Sequence, residues 1–346
     1  MQRYDITRTY DWNYQCAPGR PPEIEAPACP GQWDFCGLPV GSPLGVPAGP
    51  LLNSRWILYY AALGFSVLTY KTVRSRFRAC YQPPNLLPVR SGQLSDETGR
   101  VLADPEAASI RSWAISFGMP SKDPPVWQQD VERARRGLGR DQVLVVSVVA
   151  SPEEGWTLDQ IAADFALLAR QARDAGAQAV EANLSCPNVC TQEGQLYHWP
   201  EASAAIAAAM RHQLGDLPLI LKIGLFANRD QAAQFVPAVQ PYASALNTTN
   251  SISAAVRGPD DEPLFGGLRR GIGGECIRDR CLAELAMLGG LTRGVPLIAV
   301  GGVSTAADVR DRLQAGAHHV QIATAAMLDP LVGIRIRQQL WSPAAH

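Results

Sequence analysis

The chain has 346 residues, 47% hydrophobic and 18% charged, so it can bury a large core and is not a disordered segment. Its 31 basic and 32 acidic residues leave a formal net charge of -1, which gives no indication of binding to nucleic acid or to an anionic membrane. No apolar run approaches the roughly 20 residues of a membrane helix, and the first residues lack the apolar core of a signal peptide. The eight cysteines include no Cys-x-x-Cys pair, so we expect no structural metal and a cytoplasmic protein.

Residues 1–43 are predicted to form an arm outside the main domain. Seven prolines break any long helix in this segment, and aromatic side chains are interspersed among them. We expect an extended segment that packs on the surface of the domain through its aromatic rings. Two places for it stay open: the bottom of the domain, and a contact between two copies of the chain.

Short apolar runs alternate with helical patterns along residues 44–346. In a typical unit, Thr157 offers an N-cap, an apolar helical stripe follows, and Gly176 offers a stop. The predicted helices cover 54–63 and 277–288, and others begin at or just after Thr157, Pro200, Arg229, Ser304 and Pro330. The predicted strands are 44–48, 66–70, 143–149, 179–184, 217–223, 243–248, 296–300 and 319–323. Eight strands alternating with helices favour an α/β fold, a closed (β/α)8 TIM barrel, over an open doubly wound sheet.

Two longer segments, residues 72–140 and 250–276, interrupt this alternation. Each of them follows a predicted strand. We therefore expect both insertions on the C-terminal face of the barrel, where barrel enzymes carry their active sites.

The ends of the predicted strands carry most of the chemical signals. Lys71 and Lys222 lie among apolar residues, and a buried lysine is costly unless it is paired or binds an anion. Gly301 and Gly302 precede a predicted helix, so their N–H groups are expected to form a phosphate cradle. Cys186 follows a strand in a polar loop, where a thiolate can act as a general base. Together these groups favour a site for a large, polar, anionic ligand.

Six motifs resemble, in the same order, those of the dihydroorotate dehydrogenase family. They are Ala-Gly-Pro at 48–50, Tyr-Lys-Thr-Val at 70–73, Asn-Leu-Ser-Cys-Pro-Asn at 183–188, Asn-Thr-Thr-Asn-Ser at 247–251, Val-Gly-Gly-Val at 300–303 and Val-Gln-Ile-Ala-Thr-Ala at 320–325. The resemblance covers residues 37–340. It implies a (β/α)8 barrel that holds FMN and oxidises (S)-dihydroorotate to orotate in pyrimidine biosynthesis.

The resemblance also implies individual roles. Cys186 would remove a proton from the substrate while hydride passes to flavin N5, and a cysteine here is typical of the soluble class. Lys71 and Lys222 would complete the catalytic group, Lys222 by stabilising negative charge on the reduced flavin. The implied cofactor residues are Ala48, Gly49, Lys71, Thr72, Ser147, Asn183, Lys222, Asn247, Gly274, Gly301, Gly302, Ala323 and Thr324. The implied residues for a dihydropyrimidine-like carboxylate are Lys71, Phe117, Gly118, Met119, Asn183, Asn188, Asn250 and Ser251. A homodimer is also implied, and the electron acceptor stays open, a separate electron-transfer partner included.

One position departs from the family pattern. Ile115 stands where an asparagine that touches the substrate is expected, and the loss of such a partner costs about 1–3 kcal/mol. A second hypothesis therefore keeps the flavin chemistry and changes the substrate to another dihydropyrimidine, a related lactam or an intermediate of a specialised pathway. Two other hypotheses are a phosphate-binding barrel aldolase or isomerase with a Schiff-base lysine, and a non-catalytic flavin-binding protein.

Overall fold

The computed structural model describes residues 1–94, 99–105, 111–185 and 195–341. The strands, in chain order, are β1 (Trp33–Phe35), β2 (Leu38–Val40), β3 (Leu44–Val46), β4 (Val67–Val73), β5 (Leu86–Arg90), β6 (Arg100–Ala103), β7 (Ser112–Ile115), β8 (Val143–Val148), β9 (Ala179–Asn183), β10 (Leu219–Lys222), β11 (Ala245–Thr248), β12 (Ile252–Arg257), β13 (Arg270–Gly274), β14 (Leu297–Val300) and β15 (Ala317–Gln321). The helices are α1 (Tyr10–Gln15), α2 (Ser54–Ala62), α3 (Pro124–Gly137), α4 (Leu158–Asp174), α5 (Pro200–Leu214), α6 (Arg229–Val239), α7 (Arg278–Gly289), α8 (Ala306–Gln314), α9 (Thr324–Leu328) and α10 (Val332–Trp341). Within these described ranges, no helix is both long and apolar enough to cross a membrane.

Eight of these strands close into a parallel barrel, in the order β3, β4, β8, β9, β10, β11, β14 and β15 around the ring. Strands that follow one another in the barrel part of the sequence are also neighbours in space, as a (β/α)8 topology requires. The predicted TIM barrel is confirmed, with strand boundaries that differ by three residues or fewer. The largest difference is at β4, which continues to Val73, so Lys71 and Thr72 lie within the strand rather than after it.

The predicted helices of the barrel are also present, because their end signals are made in the structure. Thr157 and Gln160 form a reciprocal capping box at the start of α4, and Gly176, with a positive φ of 97°, follows its end. The prediction of a helix start at Ser304 is wrong by two residues. Thr305 is the N-cap, and the Asp308 carboxylate accepts hydrogen bonds from the N–H groups of Ser304 and Thr305.

The two insertions meet and form a second closed sheet, in the order β12, β13, β7, β5 and β6. It has an apolar core of its own, which includes Val89, Ala114, Val256 and Ile272. Because β5 follows the end of β4 and β12 follows the end of β11, this small barrel lies on the C-terminal face of the large one. The expected position of the insertions is confirmed, whereas their strand content was not predicted.

Residues 1–43 reach both faces of the barrel. We call residues 2–17 the upper arm, because they pack on the first half of α2, which begins at the C-terminal face. There the Trp56 indole donates to the carbonyl of Asn13 at 3.0 Å. We call residues 33–40, the β1–β2 hairpin, the lower arm. It lies across the N-terminal face, where Phe35 is fully buried against residues at the starts of the barrel strands, such as Val67 and Ile220.

Candidate functional site

A cavity of about 370 Å³ opens on the C-terminal face, between the ends of β14 and β15 and the small barrel. The walls include six of the residues that the sequence assigned to a ligand site: Asn250, Gly274, Gly301, Gly302, Ala323 and Thr324. The structure therefore brings together the two turns expected to hold a phosphate and one of the expected substrate residues.

The turn after β14 offers unused hydrogen-bond donors. Gly301 and Gly302 have positive φ values of 108° and 72°, and the N–H groups of residues 301–303 have no acceptor among the described residues. A Cβ on Gly302 would lie 2.3 Å from the Cα of Arg278, so packing against α7 requires glycine there. These donors belong to the turn itself, because the Asp308 carboxylate already accepts from the N–H groups of Ser304 and Thr305 just before α8.

Gly274, the last residue of β13, lines the same cavity. Its φ is 100°, and a Cβ there would lie 2.1 Å from the carbonyl oxygen of Arg111. Only glycine allows the two backbone segments to approach this closely. The preceding Gly273 faces Ile115, since a Cβ on Gly273 would lie 3.2 Å from the Ile115 Cδ1, and both residues line the cavity.

A layer of hydrogen-bonded polar side chains crosses the barrel interior. The Asn247 amide donates to Glu181 at 2.7 Å and to Gln321 at 3.0 Å, and the Gln321 amide donates to Thr69 at 3.2 Å. These four residues come from alternate strands, as the members of one barrel layer do. Sequence reasoning missed Glu181, Gln321 and Thr69. The available signal was a carboxylate between the apolar residues Val180 and Ala182 of a buried strand.

The two predicted lysines lie at the open end of the barrel. Lys222 is 5% exposed, stands in register with Asn183 and Asn247, and makes no hydrogen bond or ion pair through its ammonium in the described part of the chain. Lys71 is buried as well, and its ammonium lies 4.6 Å from the centre of the Phe117 ring, a cation–π contact. Two buried cations thus face the end of the barrel that holds the cavity.

Beside the lysines, Thr72 and Ser147 connect neighbouring strands. Their hydroxyl oxygens lie 3.0 Å apart. The turn after β3, which contains Ala48 and Gly49, is held next to β4 because the Lys71 N–H donates to the carbonyl of Leu51 at 2.9 Å. The structure thus groups these predicted cofactor residues around the lysines.

The predicted substrate residues are brought together in part. The Asn183 side-chain oxygen accepts from Asn250 at 3.4 Å, and its amide donates to the Met119 sulfur at 3.7 Å. Gly118 has a positive φ of 72° and lies against the Tyr81 ring. Ser251 lines a smaller neighbouring cavity of about 170 Å³ rather than the main one. Cys186 and Asn188 lie outside the described residues.

A second cysteine lies near the site, in the first insertion. Burial raises the pKa of the Cys80 thiol to about 11, although nearby Lys71 acts to lower it. This thiol therefore stays protonated at neutral pH and is not poised to act as a general base.

The chain is similar to known dihydroorotate dehydrogenases. The family model described as dihydroorotate dehydrogenase matches residues 116–342. A dihydroorotate dehydrogenase of Dictyostelium discoideum is 32% identical over 87% of this chain and 86% of its own length. The catalytic subunit of dihydroorotate dehydrogenase B (NAD(+)) of Desulforudis audaxviator is 26% identical over 86% of each chain.

A solved structure shows the same fold. It is the dihydroorotate dehydrogenase of Eimeria tenella in complex with ferulenol, with a TM-score of 0.76 over 95% of this chain and 88% of the other. The sequence identity is 18%, so the likeness concerns the fold alone.

Proposed function

The chain belongs to the dihydroorotate dehydrogenase family and is an oxidoreductase of that kind, and we propose that it oxidises (S)-dihydroorotate to orotate with bound FMN. The observation that carries the proposal is Lys222, a residue that is 5% exposed and whose ammonium has no counterion among the described residues. A buried cation without a partner is costly, so its retention beside Asn183 and Asn247 favours a site built to receive negative charge.

The cavity fits FMN in the chemistry of its donors. Residues 301–303, whose N–H groups have no acceptor among the described residues, line the cavity with the turn at Ala323 and Thr324 and suit a phosphate. Polar groups for a flavin ring would come from the open end of the barrel, outside the cavity wall: Thr72, Ser147, Asn183, Lys222 and Asn247. When bound, FMN supplies the hydride acceptor of the reaction at its N5 atom. Lys222 would then stabilise the negative charge on the reduced flavin, because its ammonium is already held in place before the reaction.

The substrate would lie between the amide groups and Lys71. Amide side chains at Asn183, Asn188 and Asn250 suit the alternating donors and acceptors of a pyrimidinedione edge. Lys71, held over Phe117, would face the substrate carboxylate. Cys186 would remove the proton from the carbon next to the one that loses hydride.

The experiment compares the wild type with Cys186→Ser in anaerobic stopped-flow reduction by dihydroorotate at neutral pH. We expect the variant to retain FMN and to reduce it much more slowly, because a serine hydroxyl is a weaker acid than a thiol. An unchanged rate would remove Cys186 from the mechanism.

A second candidate substrate is favoured by Ile115. Its side chain lines the cavity, where the family pattern has an asparagine, so one polar contact to dihydroorotate is replaced by an apolar one. Comparing reduction rates with dihydroorotate, dihydrouracil and dihydrothymine tests this alternative. Ordinary kinetics with dihydroorotate would exclude it. The aldolase, isomerase and non-catalytic hypotheses are set aside by the family to which the chain belongs.

A further inference from the structure

The upper arm places a charged side chain at the cofactor cavity. Arg3 lines the cavity together with the turns at Gly301–Gly302 and Ala323–Thr324. We propose that Arg3 binds the phosphate group of the flavin cofactor, so that the upper arm is part of the cofactor site. This inference rests on the proposed function, since it takes FMN as the ligand.

Arg3 is held in place from both sides. The Tyr59 hydroxyl donates to the carbonyl oxygen of Gln2 at 2.6 Å. Tyr4 is 4% exposed, and its ring packs 6.3 Å from Trp56 and 6.4 Å from Phe117, measured between ring centres. The backbone at position 3 is therefore anchored, and Arg3 is one of the residues that line the cavity.

The turn of the arm that follows is also fixed. The Asp5 N–H donates to the buried Asn13 side chain at 2.8 Å, and the Asn13 amide donates back to the carbonyl of Asp5 at 2.9 Å. Tyr10 is attached to the first insertion, because its N–H donates to Asn85 at 3.0 Å. These contacts fix the conformation of the upper arm and therefore the position of the Arg3 backbone.

Among the described residues, Arg3 is the one cation of the cavity wall that has no carboxylate partner. Arg111 pairs with Glu275 at 3.1 Å, and Arg335 pairs with Asp329. Arg3 has no carboxylate partner within the described ranges. Three arginines and two carboxylates leave one net positive charge on the wall, and residues 301–303, whose N–H groups have no acceptor among the described residues, line the same cavity. Backbone donors combined with one free guanidinium suit a phosphate dianion.

The test measures flavin binding to the apoprotein by fluorescence, with FMN and with riboflavin, which lacks the phosphate. We expect Arg3→Ala to weaken FMN binding about tenfold at low ionic strength, the scale of one charge-assisted hydrogen bond, and to leave riboflavin binding unchanged within about twofold. Arg3→Lys should retain part of the affinity. Arg8→Ala, which removes an arginine that lies over the Trp12 ring of the same arm, is the matched control and should bind both flavins as the wild type does.

The outcomes separate this inference from the proposed function. Equal loss of FMN and riboflavin in Arg3→Ala would mean that the arm only covers the flavin, and it would overturn the phosphate contact. Unchanged FMN binding in Arg3→Ala would overturn it too, while leaving the flavin enzyme intact. A wild-type protein that binds neither flavin would contradict the proposed function itself.

Discussion

The upper and lower arms have a similar aromatic composition but lie against opposite faces of the barrel. The two faces differ in the residues that contact each arm. The lower arm packs against apolar residues at the starts of the barrel strands, and Phe35 is completely buried there. The upper arm packs against Phe117 and lies near Lys71, and it places Arg3 in the wall of the cavity. The lower arm is therefore expected to contribute to stability, and the upper arm to ligand binding.

The largest expected effect is on the lower arm. Phe35→Ala should reduce the free energy of unfolding by about 3–5 kcal/mol, because it leaves a cavity under the barrel. Urea unfolding of the apoprotein measures this loss, and the FMN affinity of the folded protein should stay within about twofold of the wild type. Phe77→Ala is the control: Phe77 is 55% exposed, and its loss should change stability by no more than about 0.5 kcal/mol. A loss below about 1 kcal/mol for Phe35→Ala would contradict the role given to the lower arm.

At the opposite face, removal of a charge should affect the reaction and not the fold. Lys222→Gln should slow flavin reduction by dihydroorotate about 100-fold, the usual effect of losing one preorganised electrostatic group. Stability should not decrease, because the substitution removes a buried cation that has no partner among the described residues. Lys122→Gln is the control. Lys122 pairs with Asp11 of the upper arm at 3.1 Å, so its loss should leave the reduction rate unchanged. Equal rates for wild type and Lys222→Gln would show that this cation does not act in the reaction.

A smaller effect separates two buried tyrosines. The Tyr4 hydroxyl of the upper arm is buried without a hydrogen-bond partner among the described residues, and burial keeps its pKa far above the usual range, so it stays neutral. Tyr4→Phe should therefore stabilise the apoprotein by about 1 kcal/mol. Tyr60→Phe should have the opposite sign, because the Tyr60 hydroxyl donates to the carbonyl of Ala326 at 2.9 Å. Chemical unfolding of both variants measures the difference, and a destabilised Tyr4→Phe would reveal a partner for that hydroxyl.

The smallest effect concerns pH at the lower arm. His319 donates through Nε2 to the carbonyl of Asp34 at 2.8 Å, and burial lowers its pKa below 6.5. The unfolded chain therefore binds the proton more readily, so this histidine stabilises the fold above pH 6.5 and loses that contribution as pH falls below it. His319→Gln should lose less stability than the wild type between about pH 7.5 and about 5.5. The control is His212→Gln, which should keep the wild-type pH dependence, because His212 is an exposed histidine of α5 that is not among the groups shifting the pKa of His319.

The barrel could be predicted from the sequence because its strands are apolar on both faces and its helices carry end signals. Thr157 and Gly176 mark one helix, and the apolar run 143–149 marks one strand. The small barrel could not be predicted. Strands such as β6 and β7 are only four residues long, and their partners come from two insertions far apart in the sequence.

The candidate site could be predicted in part, because the ends of parallel strands meet at one face. That rule places Lys222 next to Asn183 and Asn247. It cannot place Arg3, since the arm has no periodic pattern and its path depends on tertiary contacts such as the hydrogen bond from Tyr59 to Gln2. The sequence predicts a phosphate cradle at Gly301 and Gly302, but it does not reveal that the Asp308 carboxylate accepts from the neighbouring N–H groups of Ser304 and Thr305.

The most direct test of the central claim is the visible spectrum of the purified protein under anaerobic conditions, before and after dihydroorotate is added. A yellow protein that bleaches would establish the flavin, the hydride transfer and the substrate in one measurement, as we predict. A protein that stays colourless after FMN is added would contradict the account. A yellow protein that dihydroorotate does not bleach would contradict dihydroorotate as the substrate and favour the alternative suggested by Ile115.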